Sequence, residues 1–381
     1  MTYFINPITN KRISIYSKEA EYFFLNYIEN KKPKNSTKKN INNYSQKGGS
    51  KEINLIYMAK PPYGGWVSFT AHLARKYNAN LYKIGNKTEM KNSGDPTLRD
   101  FGYGVKYQNL SIEDASNLPN VLITAIDKNY YKYLDNFPNN TSLVIHDPTE
   151  IKGKSTQPVL DNLSRFNVIT IRETVHNLLR GGRSEPHGFA PKKNTFLVHP
   201  FFEYNKSEVS KNKAVAISRI DFDKHTEMII QANQILESKG KNPVNIYGAK
   251  NDLYVYHHLK NKLNLDLDRY YKGTFKKGFS EVNNLLKDAK FVVDMSAIKG
   301  DGGGSQYTFL EAIYQGCALV LNSKWVEGVS TPFKHGYNCF VVSNEKELAN
   351  LLASNPDTRK ITQNAKKLLD PHVKVDWRGV I

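Results

Sequence analysis

The stretch that most constrains this chain runs from Lys290 to Leu321. An apolar strand, Lys290 to Asp294, leads into Gly300-Asp301-Gly302-Gly303-Gly304-Ser305. A helix follows and ends at Gly316, and Ala318-Leu319-Val320-Leu321 reads as the next strand. Strand, glycine turn, helix and strand in that order form a βαβ unit, which requires a parallel sheet with helices on its faces. Successive glycines let backbone N–H groups converge at the helix N-terminus, where the dipole adds partial positive charge. The natural guest there is a phosphate. Glu311, nearly two turns into the helix, suits a neutral part of the same ligand, such as a ribose diol. Taken alone, a glycine cluster reads equally well as a surface loop.

The same grammar recurs along the chain. Ile53 to Met58 is an apolar strand, followed by Gly64-Gly65 and a helix from Val67 to Lys76. Val121 to Ala125, Ser142 to Ile145 and Asn167 to Ile171 read as further parallel strands. A second set begins with Ala214 to Ser218, then the helix Glu227 to Leu236 and the strand Val244 to Tyr247 before Gly248. With 381 residues there is room for two doubly wound α/β domains. The Gly64-Gly65 turn is not a G-x-G-x-x-G fingerprint, and no acidic residue stands where NAD binding needs one.

Arg219 and Lys224 follow the strand Ala214 to Ser218, so both cations are offered where a parallel strand ends. That is the edge at which open α/β sheets bind ligands. In the other half, Ser142 to Ile145 ends in His146-Asp147-Pro148. A histidine there is suited to positioning or deprotonating a hydroxyl, and Asp147 to accepting that proton or stabilising positive charge. By itself a His-Asp dipeptide is more often structural.

These residues resemble those of the GT-B glycosyltransferases, in particular the glycogen and sucrose synthase-like family and the phage DNA α-glucosyltransferases. Arg219 and Lys224 match that family's Arg-x4-Lys pair, and Phe309-Leu310-Glu311-Ala312 with Gly316 matches its Glu motif. The wording Tyr307-Thr308-Phe309-Leu310-Glu311 and the His146-Asp147 pair are close to the phage enzymes. The common pattern has a further Glu where this chain has Gly303, with Asp301 near enough to substitute. The resemblance implies an α/β GT-B fold, with two Rossmann-like doubly wound domains facing a central cleft. Residues 1–51, which it does not cover, read from their composition as a basic N-terminal arm and linker; the resemblance implies 52–200 as the acceptor domain. Residues 201–355 become the nucleotide-sugar domain, and 356–381 a helix crossing back.

The activity implied is that of a retaining glycosyltransferase moving a sugar, glucose first, from a UDP-sugar. Donor contacts fall to Arg219, Lys224, Gly64, Gly65, Gly248, Gly302, Gly303, Gly304, Ser305 and Glu311, with His146 and Asp147 facing the reacting carbon. No metal or other cofactor is required beyond the UDP-sugar itself.

A net charge of +18 and a pI near 9.5 attract polyanions, nucleic acid first and an acidic membrane or polysaccharide second. Lys- and Asn-rich composition also arises with no partner implied. Charge and resemblance together point to hydroxymethylated pyrimidine in DNA as the acceptor, with Arg180, Arg183 and His187 as candidate contacts. The alternatives are a glycan or glycoprotein acceptor, or an inactive nucleotide-sugar or DNA binder. Lys31 to Ser50 has almost nothing to bury and reads as a flexible linker, while Glu19 to Tyr27 reads as a short helix. No run of apolar residues is long enough for a membrane span. The first residues lack the apolar core of a signal peptide. Two cysteines make neither a disulfide framework nor a zinc cluster, so the expected compartment is reducing and cytoplasmic.

Overall fold

The computed structural model describes residues 3–5, 12–14, 52–59, 64–84, 97–152, 155–180, 191, 193–207, 209–276, 278–297, 306–328 and 331–381. The chain divides into two units, Met1–Ser50 and Lys51–Ile381. In the first, β1 (Tyr3–Ile5) pairs antiparallel with β2 (Arg12–Ser14). The expected helix over Glu19 to Tyr27 and the linker to Ser50 lie outside the described residues.

The second unit holds two sheets. The first is built from β3 (Asn54–Met58), β4 (Asn80–Ile84), β5 (Arg99–Gly102), β6 (Val105–Leu110), β7 (Val121–Ile126), β8 (Ser142–Ile145), β9 (Asn167–Thr170) and β10 (Lys193–Phe196). Their order is β10-β9-β8-β7-β3-β4-β6-β5, parallel throughout except for β5 against β6. The second contains β11 (Lys213–Ile217), β12 (Asn245–Tyr247), β13 (Ala289–Asp294), β14 (Ala318–Asn322) and β15 (Phe340–Val342). It is wholly parallel, in the order β12-β11-β13-β14-β15. The helices of the first lobe are α1 (Gly64–Tyr77), α2 (Ile112–Ser116), α3 (Gln157–Leu163) and α4 (Glu173–Arg180). Those of the second are α5 (Thr226–Ser238), α6 (Phe279–Leu286), α7 (Gln306–Tyr314), α8 (Ser323–Gly328), α9 (Glu345–Ser354) and α10 (Arg359–Lys374).

Strands β3, β7, β8 and β14 are buried along their whole length. A parallel sheet covered on both faces needs continuous apolar runs rather than alternation, as in Leu55-Ile56-Tyr57-Met58. Two helix ends show local sequence fixing a boundary. After α7, Gly316 has φ +75°, the Cys317 amide donates to Ala312 O (2.9 Å) and the Gly316 amide to Ile313 O (3.0 Å). That left-handed stop closes the helix and releases β14. At the start of α9, Asn344 accepts from the Glu347 amide and Glu347 accepts from the Ser343 amide, each within 2.9 Å, a reciprocal cap.

Strand order reverses between β3 and β7 in the first sheet and between β11 and β13 in the second. Each reversal opens a crevice at the carboxyl ends of its strands. The faces of the two lobes that meet share one core: Val67, Phe69 and Leu73 of α1 belong to the same cluster as Phe309, Ala312 and Ile313 of α7. After α10 the chain returns to the first lobe. There Trp377 is fully buried, its ring 5.3 Å from Phe69, and Ser142 Oγ donates to Val380 O at 2.6 Å. Among the described residues no helix is long and apolar enough to cross a membrane.

Candidate functional site

The second-lobe crevice is built around the end of β11. Gly248, at φ +147°, follows β12; a Cβ there would stand 1.7 Å from the Ser218 carbonyl oxygen. Only glycine lets the end of β12 lie so close to the residue that precedes Arg219. Asp221 caps the short turn Phe222–Lys224 by accepting from the Phe222 amide (2.8 Å), and its other oxygen takes Arg219 Nη1 (2.8 Å). Lys224 is buried, and its Nζ donates to Ser296 Oγ at 3.1 Å, with Asp223 at 3.4 Å. Because Ser296 lies just past β13, Lys224 spans the reversal point between β11 and β13.

Arg219, by contrast, is 62% exposed and forks between Asp221 and Asp223. Exposed pairs of that kind are worth about 0–1 kcal/mol, so the guanidinium can exchange them for an arriving phosphate at little cost. Next to Lys224 stands His225, a non-glycine residue with left-handed backbone (φ 47°, ψ 46°). Its Nδ1 meets Glu227 Oε1 at 2.8 Å, and Glu227 also accepts from the Tyr254 hydroxyl. Neither His225 nor Ser296 carries a motif that sequence would single out. Gly302, Gly303, Gly304 and Ser305 lie outside the described residues.

In the first-lobe crevice, Gly64 opens α1 and Gly65 is exposed, with nothing within 4 Å of where a Cβ would stand. His146 follows β8 and is buried, edge-on to Phe69 at 4.8 Å. Its Nε2 lies 2.7 Å from Thr124 O. A carbonyl only accepts, so Nε2 carries the proton and Nδ1 the lone pair. Burial pushes the His146 pKa down to about 4, leaving the imidazole neutral near pH 7. Asp147 Oδ1 accepts from the Thr149 amide (2.9 Å) and hydroxyl (2.8 Å), and Oδ2 lies 3.3 Å from Arg172. The carboxylate therefore already holds a turn and an arginine.

A third group joins this pair. Glu150, buried at 3% exposure, accepts the His146 amide at 3.0 Å. Burial raises its carboxyl to about 8. The only sequence signal for it is its place in the proline-started turn that follows His146-Asp147.

Glu311 is set in the wall between the lobes, 6% exposed, with Oε1 3.5 Å from Nε2 of His72 on α1. Burial first, and the Glu311 charge second, raise the pKa values of Tyr103, Tyr204 and Tyr307 around it. Arg180 is exposed at the end of α4; Arg183 and His187 lie outside the described residues. The structure thus brings Arg219, Lys224 and Gly248 together, and His146 and Asp147 together. Among the described residues no hydrogen bond or ion pair joins the two groups. A cavity of about 670 Å³ lies between the lobes, lined by Tyr103, Tyr204, Phe279 and Glu281 among others, and by none of the expected site residues. No cluster of three His, Cys, Asp or Glu that would hold a metal occurs among the described residues.

No family model matches the chain, and no curated protein matches it. Solved structures do. The Anabaena protein Alr3699/HepE in complex with UDP-glucose superposes with a TM-score of 0.57 at 15% identity, over 84% of this chain and 95% of that one. Its complex with UDP and glucose gives 0.56 at the same identity and coverage. A glycosyltransferase from Rickettsia africae ESF-5 gives 0.50 at 12% identity, over 84% of this chain and 94% of that one. The two lobes with crevices at their strand ends define the GT-B fold, an α/β arrangement of two Rossmann-like sheets.

Proposed function

We propose that this chain is a glycosyltransferase. It moves a sugar, glucose first among candidates, from a UDP-sugar to a hydroxyl with retention of anomeric configuration. The observation that carries the donor half is Lys224 spanning β11 and β13 with Arg219 exposed beside it. Two cations at the crevice of a parallel sheet suit a diphosphate. The fold is shared with a protein crystallised with UDP-glucose.

On this assignment Arg219 and Lys224 neutralise the leaving diphosphate, and Glu311 holds the ribose. As the bond from the anomeric carbon to the diphosphate oxygen breaks, one forms to the acceptor oxygen. The hydroxyl proton passes to the departing diphosphate, because an imidazole with a pKa of about 4 is too weak a base to keep it. His146 Nδ1 accepts a hydrogen bond and positions the hydroxyl; Asp147 faces the positive charge growing on the sugar.

For the acceptor we infer hydroxymethylated pyrimidine in duplex DNA, supported by the net charge of +18 and the motif resemblance. Such a base must leave the stack, at a cost of a few kcal/mol offset by phosphate contacts. A second reading, a nucleotide-sugar binder without turnover, is favoured by Gly303 standing where the resemblance places a glutamate. UDP release from UDP-glucose, measured with hydroxymethylated duplex, unmodified duplex and no DNA, separates these. Release with modified DNA alone, lost in Arg219→Ala, is the expected result. Release regardless of DNA discards the acceptor, and UDP binding without release supports the inactive binder.

A further inference from the structure

His72 sits where α1 and α7 meet and is completely buried. Its ring stacks on Tyr307 at 4.6 Å and 19°, and lies 4.7 Å from the ring of Phe201. The Phe202 amide donates to Nδ1 at 2.9 Å. With Nδ1 accepting, the ring proton resides on Nε2. That Nε2–H faces Glu311 Oε1 across the lobe boundary at 3.5 Å. The separation exceeds the hydrogen-bond range of about 2.7–3.2 Å, and Nε2 has no hydrogen-bond partner among the described residues. A buried donor left so costs about 1–3 kcal/mol. A few tenths of an ångström of approach between α1 and α7 removes that cost.

We propose that His72 is a positioning residue of the donor site. Its Nε2–H holds one oxygen of the Glu311 carboxylate, so that the other is presented to the ribose diol as the lobes close on the nucleotide. This rests on the assignment of Glu311 to the donor ribose. Burial, with Lys76 nearby, depresses the His72 pKa to about 3, so the contact is a neutral donor on a carboxylate. The donor comes from the first lobe and the acceptor from the second, so nucleotide affinity acquires a dependence on a residue that need not touch the nucleotide.

Two substitutions separate this role from packing. In His72→Asn the amide oxygen reproduces Nδ1 and keeps the Phe202 amide satisfied, but the side chain falls short of Glu311. In His72→Gln the longer side chain reaches Glu311 and gives up the Phe202 contact. UDP and 2′,3′-dideoxy-UDP binding by calorimetry, with thermal unfolding of each protein, make the test. The expected result is about tenfold weaker UDP binding in His72→Asn, about 1.4 kcal/mol, with dideoxy-UDP unaffected. His72→Gln should keep UDP affinity within about threefold while being the less stable of the two. UDP affinity unchanged in His72→Asn, or falling in step with stability in both variants, overturns the inference alone. A wild type that binds UDP and dideoxy-UDP equally overturns the ribose assignment and the inference with it, and one that binds neither also removes the donor site.

Discussion

Replacing Glu150 by glutamine should stabilise the protein, and the gain should depend on pH. The carboxyl is 3% exposed, and burial raises it to about 8 from an ordinary 4.5. A group whose folded pKa is raised contributes stability that is fully present below the unfolded value and is lost as pH rises through the folded one. At pH 7.5 the unfolded chain ionises this carboxyl freely while the native one holds it protonated. Three pH units at about 1.4 kcal/mol each then favour unfolding by roughly 4 kcal/mol. At pH 5 the same difference shrinks to about 1 kcal/mol. Glutamine keeps an oxygen to accept the His146 amide and has no proton to lose. Urea denaturation of wild type and Glu150→Gln at pH 5.0 and 7.5 measures both. The gain at pH 7.5 should exceed that at pH 5.0 by about 2–3 kcal/mol, the upper figure being the full difference. An effect equal at the two pH values, or a net loss at pH 7.5, refutes the burial argument.

Gly248→Ala forces a Cβ to within 1.7 Å of the Ser218 carbonyl at φ +147°. It should cost about 1–3 kcal/mol or more in chemical denaturation and weaken UDP binding by displacing Arg219; unchanged affinity and stability would sink that account. Acid should unfold the protein through its buried histidines. Burial depresses His72 to about 3, His146 to about 4 and His199 well below its ordinary value. Their stabilising contribution is present above pH 6.5 and is lost as pH falls towards those values. Each costs about 1.4 kcal/mol per unit below 6.5, against one such term of opposite sign from Glu150, so the net loss is on the order of 3 kcal/mol per unit. A flat stability profile between pH 6.5 and 4.5 contradicts this.

Strands such as Ser142–Ile145 and the end of α7 at Gly316 were legible in the sequence because continuous apolar runs and glycine stops are local signals. The same holds for Arg219 and Lys224, whose spacing places them at one strand end. Strand β4, Asn80-Leu81-Tyr82-Lys83-Ile84, mixes polar residues into a half-covered position, and the β5–β6 hairpin lies at the sheet edge, so neither announces itself. What sequence hides altogether is partnership at a distance. His72 is one more position on the apolar side of a helix until the fold sets it 3.5 Å from Glu311, 239 positions later. His146-Asp147 reads as a reactive pair, yet Thr124, Thr149 and Arg172 occupy atoms that the dipeptide leaves unassigned.

The chain passes between the lobes twice, near His199–Phe201 and again near His372–Trp377, and the two passages are stitched together. Phe201 donates its amide to His372 O at 3.0 Å, His372 Nδ1 meets His199 O at 2.8 Å, and Trp377 Nε1 reaches Val198 O at 3.3 Å. Bodies tied by a single thread swivel in any direction, whereas bodies tied by a laminated strip bend about the strip. A strip of this kind resists twisting and sliding of one lobe on the other, and any opening of the lobes bends about it.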